Sequence, residues 1–98
     1  MKKITKTLLV SGFVTLLLAA CGGPEDRAAA YVEKARKLIA GENFVKAQLE
    51  VRNALQIQEN NPEAWLLMAQ IHEEMQEFEA AFASYNKLLS LDESNVQG

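Results

Sequence analysis

A second cysteine is missing from this chain: Cys21 stands alone among 98 residues. One thiol gives no disulfide framework and no thiolate cluster for a metal. Histidine also occurs once, at His72, so no imidazole set with metal-ligand spacing can form. Glycine is scarce, five residues in all, and none lies in a phosphate-cradling loop between a strand and a helix. No nucleophile sits beside a base at a spacing that suggests catalysis, so the chain reads as a non-enzyme with no cofactor and no metal. Basic residues are outnumbered, ten Lys and Arg against thirteen Asp and Glu, for a formal charge of -3. Such a surface repels phosphate backbones, which argues against nucleic acid as a partner. Long apolar runs are absent too. The longest, Leu8 to Ala20, falls short of the roughly 20 residues that a spanning helix needs.

That short run has a specific setting. Lys2, Lys3 and Lys6 precede it, and Leu18-Ala19-Ala20 leads into Cys21. A basic start, a brief apolar core and small residues before a break describe a bacterial export signal. With cysteine directly after the small pair, the site resembles the lipobox of bacterial lipoproteins. The resemblance implies a signal peptide over residues 1–20, cleavage before Cys21, and lipid on its thiol and new amine. One acyl chain anchors a protein marginally, and several make release rare. Removing the three signal lysines leaves seven basic against thirteen acidic residues, a charge of -6 on residues 21–98. Residues 21–27, with Gly22-Gly23-Pro24-Glu25-Asp26, are expected to be the lipidated cysteine and a flexible tether. Gly22 stands where lipoprotein sorting to the inner membrane uses Asp. This implies an outer-membrane anchor with the domain facing the periplasm.

The remainder is a repeat. Laying residues 28–61 over 62–95 pairs Tyr31 with Trp65, Ala35 with Ala69 and Phe44 with Phe78. It also pairs Ala47 with Ala81, Leu55 with Leu89 and Asn61 with Asn95. A period of 34 with a large aromatic, a small residue four later, and an alanine near the start of a second helix resembles the tetratricopeptide repeat. The small residues allow two antiparallel helices to approach closely where they cross. The implied fold is all-α: two helical hairpins, at 28–61 and 62–95, in a right-handed superhelical solenoid.

The breaks agree with that period. Gly41-Glu42-Asn43 ends one helix, with Gly41 free to take a positive φ. Asn61 can cap a helix whose first residue is Pro62, with Glu63 in its first turn. The expected helices are Asp26 to Ala40, Phe44 to Ile57, Pro62 to Met75 and Phe78 to Leu91. Gln76-Glu77 lacks a glycine, which makes it the least marked boundary. Asp92-Glu93-Ser94-Asn95-Val96 retraces the Gln58 to Pro62 linker, so residues 96–98 read as the start of a further repeat or a tail. A solenoid whose last helix is uncovered exposes its apolar face. Phe82, Tyr85, Leu88, Leu89 and Leu91 are expected to lack cover, which points to a longer array or to self-association through this helix.

Binding is what such a fold offers, through the surface lined by the first helix of each hairpin. The register assigns Val32, Arg36 and Ile39 to that groove in the first unit, beside Ala29 and Ala40. The second unit adds Glu63, Leu66, Gln70, Glu73 and Glu74, with Asn60 and Asn61 at the rim. This groove should be partly apolar at one end and acidic at the other. It suits a basic or mixed helix or extended segment of a protein partner. His72 is expected to pack, and Glu73, Glu74, Glu77 and Glu79 to form a solvated acidic face.

A narrower likeness lies in Tyr31-Val32-Glu33-Lys34-Ala35, Asn53-Ala54-Leu55-Gln56 and Asn60-Asn61-Pro62-Glu63-Ala64. With the lipobox and tether, these resemble the start of the tetratricopeptide lipoproteins that accompany exosortase and PEP-CTERM protein sorting. The resemblance implies an envelope-anchored scaffold that supports export or assembly of exopolysaccharide or sorted surface proteins. It also implies further repeats beyond this point and no catalytic residues. The competing expectation is an assembly lipoprotein of a pilus, a secretin or an outer-membrane protein insertion machine.

Overall fold

The computed structural model describes residues 23–97. Cys21, the apolar run and the whole of residues 1–20 lie outside the described residues, as does Gly98. Four α-helices follow one another: α1 over Pro24–Ala40, α2 over Phe44–Ile57, α3 over Pro62–Glu74 and α4 over Phe78–Gln97. None of the described helices is long and apolar enough to cross a membrane.

Each start has a local cause. At α1, Gly23 is the extended N-cap residue and Pro24 supplies a preset φ at the first helical position. Glu25 and Asp26 in the first turn face the positive end of the helix dipole. The helix therefore begins at Pro24, and residues 24–27 of the expected tether are its first turn. At α2 the Asn43 side chain accepts from the Lys46 amide, and at α3 Asn61 accepts from Ala64 at 3.1 Å. Pro62 again opens the helix, and the Trp65 indole donates to the Glu59 carbonyl at 2.8 Å, fastening the linker to the helix it precedes.

The turns inside the two hairpins are the same turn. The Asn43 amide donates to Leu38 and the Glu42 amide to Ile39, and 34 residues later Glu77 donates to His72 and Gln76 to Glu73. This is the Schellman pairing, whose left-handed position is normally filled by glycine. Here Glu42 and Gln76 hold it, at φ 61° and 62°. Gly41, expected to take the positive φ, instead sits at -87°, close to the -85° of Met75 at the equivalent place. The missing glycine at Gln76-Glu77 is thus no irregularity.

The largest departure is at the end of α4. Asp92 to Val96 is helical rather than a linker, and the helix continues to Gln97. The first-repeat linker is broken by Pro62, whose ring and missing N–H cannot continue a helix. Val96 stands in its place, and nothing there stops the hydrogen-bonded ladder.

Helices α1 and α2 pack as one hairpin and α3 and α4 as another, while α3 also touches α2 and α1. One core unites Ala28, Val32 and Ala35 of α1, Ala47, Val51 and Ala54 of α2, and Ala64, Leu67, Met68 and Ile71 of α3. Tyr31, Leu38, Ile39, Phe44 and Leu55 close over it. The crossing alanines are almost fully enclosed: Ala35, Ala47 and Ala69 at 0% exposure, Ala81 at 3%. A larger side chain at any of them would force the paired helices apart.

Candidate protein-binding groove

The outward faces of α1 and α3 meet along one side of the stack. Arg36 on α1 ties them together. Its guanidinium lies 3.2 Å from Glu33 on the same helix and pairs with Glu63 on the first turn of α3. All three side chains are roughly half exposed, so water screens the pairing and it adds at most about 1 kcal/mol. A second tie joins α3 to α4, where the Tyr85 hydroxyl donates to the Glu73 carboxylate. That hydrogen bond holds the Tyr85 pKa above its ordinary 10.0, with burial and the Glu73 charge adding to the shift.

Of the groove residues expected from the register, Arg36, Asn60, Glu63, Leu66, Gln70, Glu73 and Glu74 are exposed. Asn61 is half-buried and engaged at the α3 cap, its amide donating to Gln58 at 3.1 Å. Val32 is a core residue, 2% exposed, and cannot line a surface. It falls with Ala28 and Ala35 at i, i+4 and i+7 on the side of α1 that meets α2. Ile39 is half-buried against the same core. Leu66, at 37% exposure, is the one large apolar side chain of that set left exposed, with the exposed Ala29 and Ala40 on α1; the other exposed members are polar, with three carboxylates and one guanidinium.

His72 is mostly enclosed, with Nδ1 2.9 Å from Glu77 Oε1 across the turn. It borders an open cleft of about 760 Å³ lined by Gln48, Arg52, Gln76, Glu77 and Phe78. Among the described residues, no three His, Cys, Asp or Glu side chains are grouped to hold a metal ion. Two features of the structure have no counterpart in the sequence expectations: the Arg36–Glu63 pair and the Tyr85–Glu73 bond. The register puts both partners of the first pair in one groove with opposite charges, which is a usable signal; for Tyr85 the sequence expectation is only an apolar side chain without cover.

The tetratricopeptide repeat family model matches residues 62–95. The chain contains a tetratricopeptide repeat region. No curated protein and no solved structure matches the chain. The matched residues are the α3–α4 hairpin, and α1–α2 reproduces its turn and its crossing alanines one period earlier. Together they form a short, all-helical tetratricopeptide-type module for protein–protein contact.

Proposed function

We propose that this protein is a lipid-anchored interaction scaffold of the bacterial cell envelope. In this reading Cys21 carries the lipid, the signal before it is removed, and the hairpins face the periplasm. The reading extends to support for export or assembly of exopolysaccharide or sorted surface proteins, on the resemblance described above. The observation that carries the binding role is the exposed row Glu63, Leu66, Gln70, Glu73 and Glu74 on α3, set beside Arg36. Four of these six side chains are carboxylates or an amide that can accept hydrogen bonds, so a basic or mixed segment with one apolar anchor is the complementary partner.

Two measurements test it. The mass of the protein isolated from membranes should correspond to a chain that begins at Cys21 and bears acyl groups. Cys21→Ser should leave an uncut precursor or a form released from its membrane. A photo-crosslinking residue at Gln70 should capture a defined envelope protein in cells, whereas one at Lys46 on α2 should not. An acyl-free chain, or equal capture from both positions, overturns the reading.

A further inference from the structure

The first hairpin carries a basic face of its own, apart from the groove. On α1, Arg27, Ala30, Lys34 and Lys37 are all exposed and recur at spacings of three, four and three, which makes one row. Lys46, Glu50, Asn53 and Ile57 form a second row on α2, with Lys46 exposed and the rest half-buried. A cleft of about 240 Å³ lined by Arg27, Ala30, Tyr31, Lys34 and Ile57 brings the two rows together. Lys34 Nζ stands 5.3 Å from the centre of the Tyr31 ring in its wall. Glu50 is the one carboxylate in the rows, and it already accepts from the Asn53 side-chain amide at 3.2 Å.

This flank is not built for stacking. One period later, Ala30, Lys34 and Lys37 become Ala64, Met68 and Ile71, which lie in the core where α3 meets α2. Two lysines in place of those apolar side chains make burial against another hairpin costly. Charge is also divided unevenly. Of the seven basic and thirteen acidic side chains of residues 21–98, the two rows hold four cations and one carboxylate. Everything else holds three cations against twelve carboxylates. The nearest of those are Asp26 and Glu33, which border the α1 row, and Glu42 in the turn beyond Lys37. Glu33 is engaged by Arg36 at 3.2 Å.

We propose that this basic face lies on an anionic lipid surface, with the acidic remainder of the domain turned toward water. The inference rests on the lipid anchor at Cys21 proposed above, and it gives that anchor an orientation. Three peptide links separate Cys21 from Pro24, at most about 11 Å of extended chain. Arg27 is in the first turn of α1, so an anchored chain holds the start of the face at the headgroups. Each basic residue beside a membrane adds to its attraction for anionic lipid, over about 8 Å at physiological salt. An acidic protein would offer the same sign of charge, but the bilayer is the surface that so short a tether keeps beside the face.

The test reconstitutes the protein isolated from membranes into vesicles of phosphatidylcholine, alone or with about one-third phosphatidylglycerol. With lipid on the Cys21 thiol, an introduced cysteine is the one reactive thiol. An environment-sensitive fluorophore on Ala30→Cys should shift to the blue in the anionic vesicles and return to its value in water at high salt. The same label on Gln70→Cys, on the exposed side of α3, should not shift. Lys34→Gln and Lys37→Gln should each move the contact equilibrium about fivefold toward water, with thermal midpoints unchanged because both side chains are exposed. In a protein that floats with the neutral vesicles, an Ala30 label indifferent to lipid charge overturns the proposal and leaves the anchor standing. A Gln70 label that shifts equally, or a shift that survives both lysine substitutions together, overturns it as well. A protein that fails to float with the neutral vesicles strikes the anchor and the proposal with it.

Discussion

Helices α2 and α4 are built on one pattern and live in different surroundings. Both open on phenylalanine, both carry an alanine three residues later, and both place leucine at the twelfth position. Ala47 and Ala81 are equally enclosed, because each faces its own hairpin partner. Phe44 and Leu55 are packed against the core, while Phe78 and Leu89 stand 66% and 60% exposed. The pattern therefore fixes which side of the helix is apolar. Whether that side is buried depends on the next hairpin, which α2 has in α3. Within-hairpin contacts repeat faithfully; contacts between hairpins occur once among the described residues.

The sharpest way to break this comparison is to enlarge the crossing residues. Ala47→Leu and Ala81→Leu should each cost roughly 1–3 kcal/mol, read as lower urea or thermal midpoints of the full chain. Ala47 should be the more costly, since α2 is hemmed in by α1 and α3 and cannot shift. Similar midpoints for both variants and the parent would show that the hairpins do not cross at these alanines.

Truncating the outer leucines sharpens the contrast. Leu55→Ala should lose about 1–2 kcal/mol through removed contacts. Leu89→Ala should stay within about 0.5 kcal/mol, as expected for an exposed position. Equal losses would mean that the α4 face is covered in solution.

Smaller effects test the turn and the α3–α4 tie. Gly41 has an ordinary helical-side φ, and an added Cβ would meet only carbonyl oxygens at 3.7 Å. Gly41→Ala should therefore stabilise by about 0.5 kcal/mol by restricting the unfolded chain, measured by urea titration. The Tyr85–Glu73 bond needs the phenol protonated. Because the folded state raises the Tyr85 pKa, its contribution is complete below about pH 10 and disappears as pH climbs through the folded value. Tyr85→Phe should slightly lower the midpoint at neutral pH and flatten this alkaline decline.

Much of this was legible beforehand for a physical reason. The period of 34, the crossing alanines and the Asn61-Pro62 start are local signals, set by helix geometry and capping within one hairpin. The positive φ at Glu42 and Gln76 was not legible, because the Schellman hydrogen bonds rather than residue preference hold those positions. The end of α4 misled for a similar reason: Asp92 to Asn95 resembles the earlier linker in composition, but the proline that breaks the helix is absent. In the groove, assigning Val32 by register overlooked that Ala28, Val32 and Ala35 form the stripe turned toward α2. The Arg36–Glu63 tie depends on how two separate hairpins sit together, which no single helix encodes.

Hydrogen exchange on the full chain tests the central claim most directly, by comparing amides of α2 with amides of α4. The inter-hairpin neighbour that α2 has, and that α4 lacks among the described residues, should make Phe44 to Ile57 exchange slowest, with Phe78 to Leu91 clearly faster. Equal protection in the two helices would contradict the account, because burial would then follow the shared pattern and not the neighbour.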